Sequence, residues 1–243
     1  MALWIIAIVL IIVFFPILFG VATTAAMIII PLGILAFSVG SVIYFAGAAV
    51  ANPKLGRLVG IGITIFHIFF QLSPVLRWVY AHKNGRGFYS LTPILTAYAV
   101  CLLMLARNRG MGGRKGIYGI ILLLLGAGFQ TGIKIITSSF YFTPTQILFP
   151  LFSILGYALL LAVPAHSETL AEEKNGVLLI TCGFLADEVC EVLRLLISAL
   201  ITAGVPVTTP IMRVIGYGSF LLIIAGAVLY IKSMLSGGKN KEN

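Results

Sequence analysis

Leu185-Ala186-Asp187-Glu188-Val189-Cys190-Glu191-Val192-Leu193-Arg194 lies inside an otherwise apolar segment running from Val177 to Ala203. Three carboxylates and a guanidinium therefore fall where a bilayer would hold hydrocarbon. Each such charge costs about 2.5–3.5 kcal/mol on insertion scales. A helix that carries four of them has to turn them from lipid, paired or hydrated within a bundle. That requirement predicts an all-α, polytopic membrane bundle with a polar interior.

The rest of the chain agrees. Of its 243 residues, 60% are hydrophobic and only 9% are charged. Soluble domains carry about 25% charged residues and place apolar ones in stripes, not in runs of twenty. The net charge of +9 does not indicate nucleic-acid binding. The basic residues sit in short links between apolar runs, and no basic face with interleaved aromatics exists. Cys101, Cys182 and Cys190 all fall in apolar segments without a C-x-x-C spacing, which reads as buried small hydrophobes.

About eight apolar segments approach the roughly 20 residues that span some 30 Å of hydrocarbon at 1.5 Å per residue. They are expected near 2–20, 25–50, 58–81, 89–106, 116–138, 144–165, 177–203 and 211–233. The first has no Lys or Arg before it and is longer than a signal h-region, so it reads as a retained helix; cleaved, it would leave seven spans. Residues 1–235 form a single transmembrane domain on this reading, and 236–243 a short disordered cytoplasmic tail.

Charge sets the orientation. Lys54, Arg57, Arg107, Arg109, Arg114, Lys115, Lys174, Lys232, Lys239 and Lys241 fall on one side, and Lys83, Arg86 and Arg213 on the other. Ten against three is a positive-inside signal. It puts both termini in the cytoplasm of a cell that carries the protein in its plasma membrane.

The even-numbered segments open alike, with Leu91-Thr-Pro-Ile-Leu, Phe142-Thr-Pro-Thr-Gln-Ile-Leu and Thr208-Thr-Pro-Ile-Met, the second segment being a looser match with Thr23-Thr24 and Pro31 further on. The pairs Ile154-Leu-Gly-Tyr and Val214-Ile-Gly-Tyr extend the likeness. Thr before Pro is good helix-start chemistry in its own right, and repeated helical hairpins would produce the same pattern.

Nearly all the buried polarity lies on the third, fifth and seventh segments. Counted outward from the cytoplasmic face, His67 lies roughly 14 Å deep, and Asp187 and Glu188 roughly 15–17 Å. Gln71, Gln130 and Glu191 follow at roughly 20–21 Å, then Arg77, Lys134 and Arg194 at roughly 26–29 Å. The expectation is a layered interior with acids and a histidine at mid-depth, then amides, then cations. Asp187, Glu191 and Arg194 share one helix face, whereas Glu188 turns about 100° away and must address another neighbour. In the third segment, Pro74 frees a backbone carbonyl between Gln71 and Arg77.

Such an interior suits a permease or channel for a proton, cation or small solute, with a path through Asp187, Glu188, Glu191, Arg194, His67, Gln71, Gln130, Lys134 and Arg77. The bland alternative is a non-catalytic membrane subunit or sensor bundle whose charges specify helix pairing, as a homo-oligomer or with a partner subunit in the lipid bilayer. Arg77 and Lys134 are shallow enough to snorkel. No cofactor or metal is expected. Bis-histidine haem needs two imidazoles at facing depths, and only His67 lies mid-membrane, with His82 and His166 at opposite surfaces. An intramembrane lipid enzyme is disfavoured, since neither H-E-x-x-H nor G-x-S-x-G occurs.

Overall fold

The computed structural model describes residues 29, 33, 36, 40, 53–72, 86–136, 145–167, 169–202 and 210–239. Within them lie six helices and no strand: α1 (Pro53–Leu72), α2 (Arg86–Asn108), α3 (Gly113–Ile136), α4 (Thr145–Leu161), α5 (Ala171–Thr202) and α6 (Pro210–Lys239). These are the third to eighth expected segments. The first two expected segments, together with Arg77 and His82, lie outside the described residues or touch them only at isolated positions.

Among the described residues, four helical stretches are long and apolar enough to cross a membrane: Lys54–Leu72, Leu91–Asn108, Gly113–Lys134 and Val214–Ser236. In α4, Ile147–Leu161 is apolar but shorter. Helix α5 has ample length, 32 residues, and its charges set it apart. Phe69, Leu221 and Val228 are each 60–64% exposed. Exposed large apolar side chains on helices this apolar are compatible with a membrane protein.

The boundaries depart from the expected ones for local reasons. Helix α1 starts at Pro53, where the missing N–H costs nothing at a first helical position. Helix α5 starts at Ala171 and draws Glu172 and Glu173 into its first turn, where carboxylates favour the positive end of the helix dipole. Helix α6 runs on to Lys239, into the stretch expected to be a disordered tail.

Each helix packs against its chain neighbour, α6 returns to α1, and α2 crosses to α5. The helices thus close a ring around α2, whose residues Ala97 and Ala99–Arg107 are all buried. The tight turn into α3 is built on Arg109, with φ of 48°, and on Gly112 and Gly113. Gly110 N–H donates to Leu105 O at 3.0 Å, a helix-ending bond that satisfies an orphan carbonyl. Arg107 Nη2 donates to Val163 O at 2.6 Å, and Thr169 Oγ1 donates to Arg107 O at 2.9 Å, fastening the α4–α5 link to the end of α2.

The hairpins close through small residues, as expected where packing rather than water exclusion joins helices. A methyl group on Gly60 would lie 3.2 Å from Ala99 O, one on Gly119 3.2 Å from Gly156 O, and one on Gly176 2.9 Å from Gly226 O. Four residues beyond each of those carbonyls, Leu103, Leu160 and Tyr230 pack on the same glycine. The two Gly-Tyr tetrapeptides do not behave alike. Gly156 is pressed on Leu123, whereas Gly216 has nothing within 4 Å, so their likeness is not one of structural position.

Candidate functional site

Helix α5 carries the site because its charged run faces several neighbours at once. Adjacent residues on a helix point about 100° apart, and Asp187 and Glu188 accordingly enter different surroundings.

Asp187 faces α1 and α6. Its Oδ1 accepts from Ser219 Oγ at 2.5 Å, and its Oδ2 lies 3.9 Å from His67 Nε2. That separation is too long for a direct hydrogen bond. His67 is 6% exposed, and its Nε2 has no hydrogen-bond partner. The imidazole is held by an edge-on contact with Phe184, the ring centroids being 5.2 Å apart. Ser219 also lies 2.8 Å from Gly216 O. It owns a single hydrogen, so it can serve only one of those two acceptors at a time.

A cavity of about 460 Å³ opens beside this cluster. His67 and Asp187 give it polar walls with Gln71, while Leu72, Tyr217 and Phe220 give it apolar ones. The size falls within the range of small-molecule pockets.

Glu188 faces a different side of α5, toward α3, and is buried. Gln130 Nε2 donates to Glu188 Oε2 at 3.1 Å and to Ser153 Oγ at 3.1 Å, using both amide hydrogens. Two helices, α3 and α4, therefore close over this carboxyl. Tyr157, also fully buried, hydrogen-bonds Thr96 of α2 and lies within electrostatic reach of Glu188.

Glu191 lies one turn on. Arg194 grips it through Nε at 2.9 Å and Nη2 at 2.8 Å, a forked pairing suited to a guanidinium. Lys134 Nζ approaches the same carboxylate at 3.4 Å. Arg194 and Lys134 side chains are 43% and 37% exposed, so this pair of cations sits at the edge of the bundle.

The sequence-derived residues are thus brought together in three groups: His67 and Gln71 with Asp187, Gln130 with Glu188, and Lys134 and Arg194 with Glu191. Arg77 lies outside the described residues. Sequence reasoning missed Ser153, Ser219 and Tyr157, and the cavity walls Tyr217 and Phe220. The one available signal was a hydroxyl on each even-numbered helix, which is commonplace in apolar helices. It also missed a polar cluster at the N-terminal ends of α1 and α5, where Arg57 Nη2 meets Glu173 Oε1 at 2.9 Å. Burial lifts the Glu173 carboxyl above its ordinary value, against the pull of Arg57.

Among the described residues, no group of three or more His, Cys, Asp or Glu side chains could hold a metal ion. Comparison of the chain with protein-family models, curated proteins and solved structures finds no match.

Proposed function

We propose that this protein is a plasma-membrane permease for a proton, a cation or a small solute, and that its path runs along α1, α5 and α6. The observation that carries the reading is the facing of His67 and Asp187 across 3.9 Å on the wall of an open cavity. Two proton-exchanging groups at that spacing take one water between them, each partner at about 2.8 Å. That is the arrangement of a proton relay. Intramembrane ionisable residues that face a cavity mark ion and substrate paths more often than packing devices.

Glu188 is assigned a supporting role. Gln130, itself bonded to Ser153, occupies it and fixes the rotation of α5 that aims Asp187 at the cavity. Glu191, Lys134 and Arg194 form the outer rim of the path, where cations admit or repel a charged solute.

The repeated glycine register of three hairpins supports a bundle of repeated helical hairpins. Residues 1–50 would supply a fourth hairpin, which gives eight spans with both termini in the cytoplasm. His67, Gly126 and Gly183 each lie seven residues after the hairpin glycine, and Gln71, Gln130 and Asp187 eleven. Equivalent positions in successive hairpins would then have diverged into the polar layer.

The test is proton flux in proteoliposomes carrying a pH-sensitive dye. An imposed pH gradient should collapse faster with the wild-type protein than with empty vesicles. Asp187→Asn should slow that collapse at least about tenfold, a change of about 1.4 kcal/mol in the barrier. Equal flux in the wild type and Asp187→Asn contradicts the reading.

A second reading, an assembly subunit whose charged helix specifies a partner, draws on the ion pairs of Glu191. It explains the rim but leaves the cavity without a purpose.

A further inference from the structure

The cavity wall sets an imidazole nitrogen without a hydrogen-bond partner beside a carboxylate oxygen. Oδ1 of Asp187 is taken by Ser219. Oδ2 points to His67, whose Nε2 is buried without a hydrogen-bond partner. In its Nδ1–H tautomer the imidazole offers a lone pair at Nε2. Two acceptors 3.9 Å apart call for one guest atom that donates twice, seated about 2.8–3.0 Å from each. A carboxylate or phosphate guest would meet lone pairs with lone pairs, and an alcohol has a single hydrogen to give. A protonated primary amine has three N–H donors on one nitrogen and a positive charge for the carboxylate.

The remaining walls suit the rest of such a molecule. Leu72 and Phe220 offer apolar surface for a short hydrocarbon chain, and Tyr217 with Phe220 places aromatic rings beside a cation. Cation–aromatic contacts add about 0.5–2 kcal/mol according to how dry they are. A cavity of about 460 Å³ has room for such a molecule and several waters, a water taking about 30 Å³ of liquid.

We infer that the cavity between α1, α5 and α6 binds a small primary ammonium compound, its nitrogen seated between His67 Nε2 and Asp187 Oδ2 and its alkyl part against Leu72 and Phe220. The inference names the solute class of the permease path proposed above and rests on that reading.

The probe is n-butylammonium, titrated calorimetrically into the full chain in lipid nanodiscs. Butyrate, n-butanol and tetramethylammonium serve as matched anionic, neutral and non-donating guests. Butylammonium should bind, and the other three should bind at least about tenfold more weakly, as the loss of a charge-assisted hydrogen bond requires. Asp187→Asn should weaken butylammonium binding by a similar factor. Leu72→Trp, which fills the cavity from its apolar wall and leaves both acceptors in place, should abolish binding in a protein that still elutes as a folded species.

Equal binding of butanol would overturn the inference, leaving only an apolar pocket. Equal binding of tetramethylammonium would overturn the two-acceptor seat. Absence of butylammonium binding, in protein whose proton flux is intact and sensitive to Asp187→Asn, would overturn the solute class and leave the path standing. Butylammonium binding without any flux would uphold the site and overturn the permease reading instead.

Discussion

Asp187 and Glu188 share a peptide bond and a chemistry, and they live in different environments. The Asp187 side chain keeps 39% of its exposure, on a cavity wall beside an imidazole whose Nε2 has no hydrogen-bond partner. Glu188 is buried, capped by a Gln130 amide that also binds Ser153. Helix rotation, not residue type, decides which carboxyl borders the cavity and which one is enclosed by its neighbours. A 100° turn separates access to water from enclosure by two helices.

The contrast predicts unequal costs. Glu188→Ala leaves the Gln130 amide unsatisfied in the core and opens a void. It should lower stability by about 2–3 kcal/mol, read as a fall in the thermal midpoint of detergent-solubilised protein. Asp187→Ala should cost less than about 1 kcal/mol, because the exposed side chain surrenders a contact that water can replace. Equal losses would break the distinction.

Gln130→Leu probes the enclosed side alone. With one amide serving two partners, its removal should destabilise by about 1–2 kcal/mol, with flux falling only as far as folded protein is lost. Smaller still is the expected effect at the rim. Arg194→Ala should change stability by less than about 1 kcal/mol, since its ion pair with Glu191 is 43% exposed on the arginine side and screened accordingly.

A last, subtler expectation concerns the Arg57–Glu173 pair. Burial raises the Glu173 carboxyl above its ordinary value despite Arg57, so the folded state holds a proton that the unfolded chain gives up sooner. The stability this group contributes is therefore complete below its unfolded value and is lost as pH rises through the folded one. The thermal midpoint of the wild type relative to Glu173→Gln should be most favourable in acid and decline as pH increases. A midpoint difference that grows with pH would mean that the Arg57 attraction outweighs burial.

Much of this arrangement was legible in the residues. The charged run of α5 required neighbours, and His67, counted at nearly the depth of Asp187, faces it at 3.9 Å. Gln130 and Lys134 were counted about one helical turn beyond Glu188 and Glu191, the carboxylates they meet. The divergence of Glu188 from Asp187 followed from helix geometry alone. Ser153 and Ser219 were not legible, because a serine in an apolar helix most often bonds its own backbone, and only packing shows which ones reach sideways. The cavity was not legible either, since it arises from the gap between three helices rather than from any motif. The Gly-Tyr tetrapeptides drew attention to the wrong likeness. The shared register lies in Gly60, Gly119 and Gly176, each of which sits over a carbonyl of the following helix. Glycine spacing alone does not reveal which backbone lies opposite.

The most direct measurement of the asymmetry is thiol accessibility in a chain from which Cys101, Cys182 and Cys190 have been replaced by alanine. Asp187→Cys and Glu188→Cys, each introduced into that background and reconstituted in vesicles, are exposed to a small membrane-impermeant methanethiosulfonate. The account predicts modification at residue 187 at least about a hundredfold faster than at 188, because only the former borders the open cavity and a thiol must meet water to ionise and react. Equal rates, or faster labelling at 188, would contradict it.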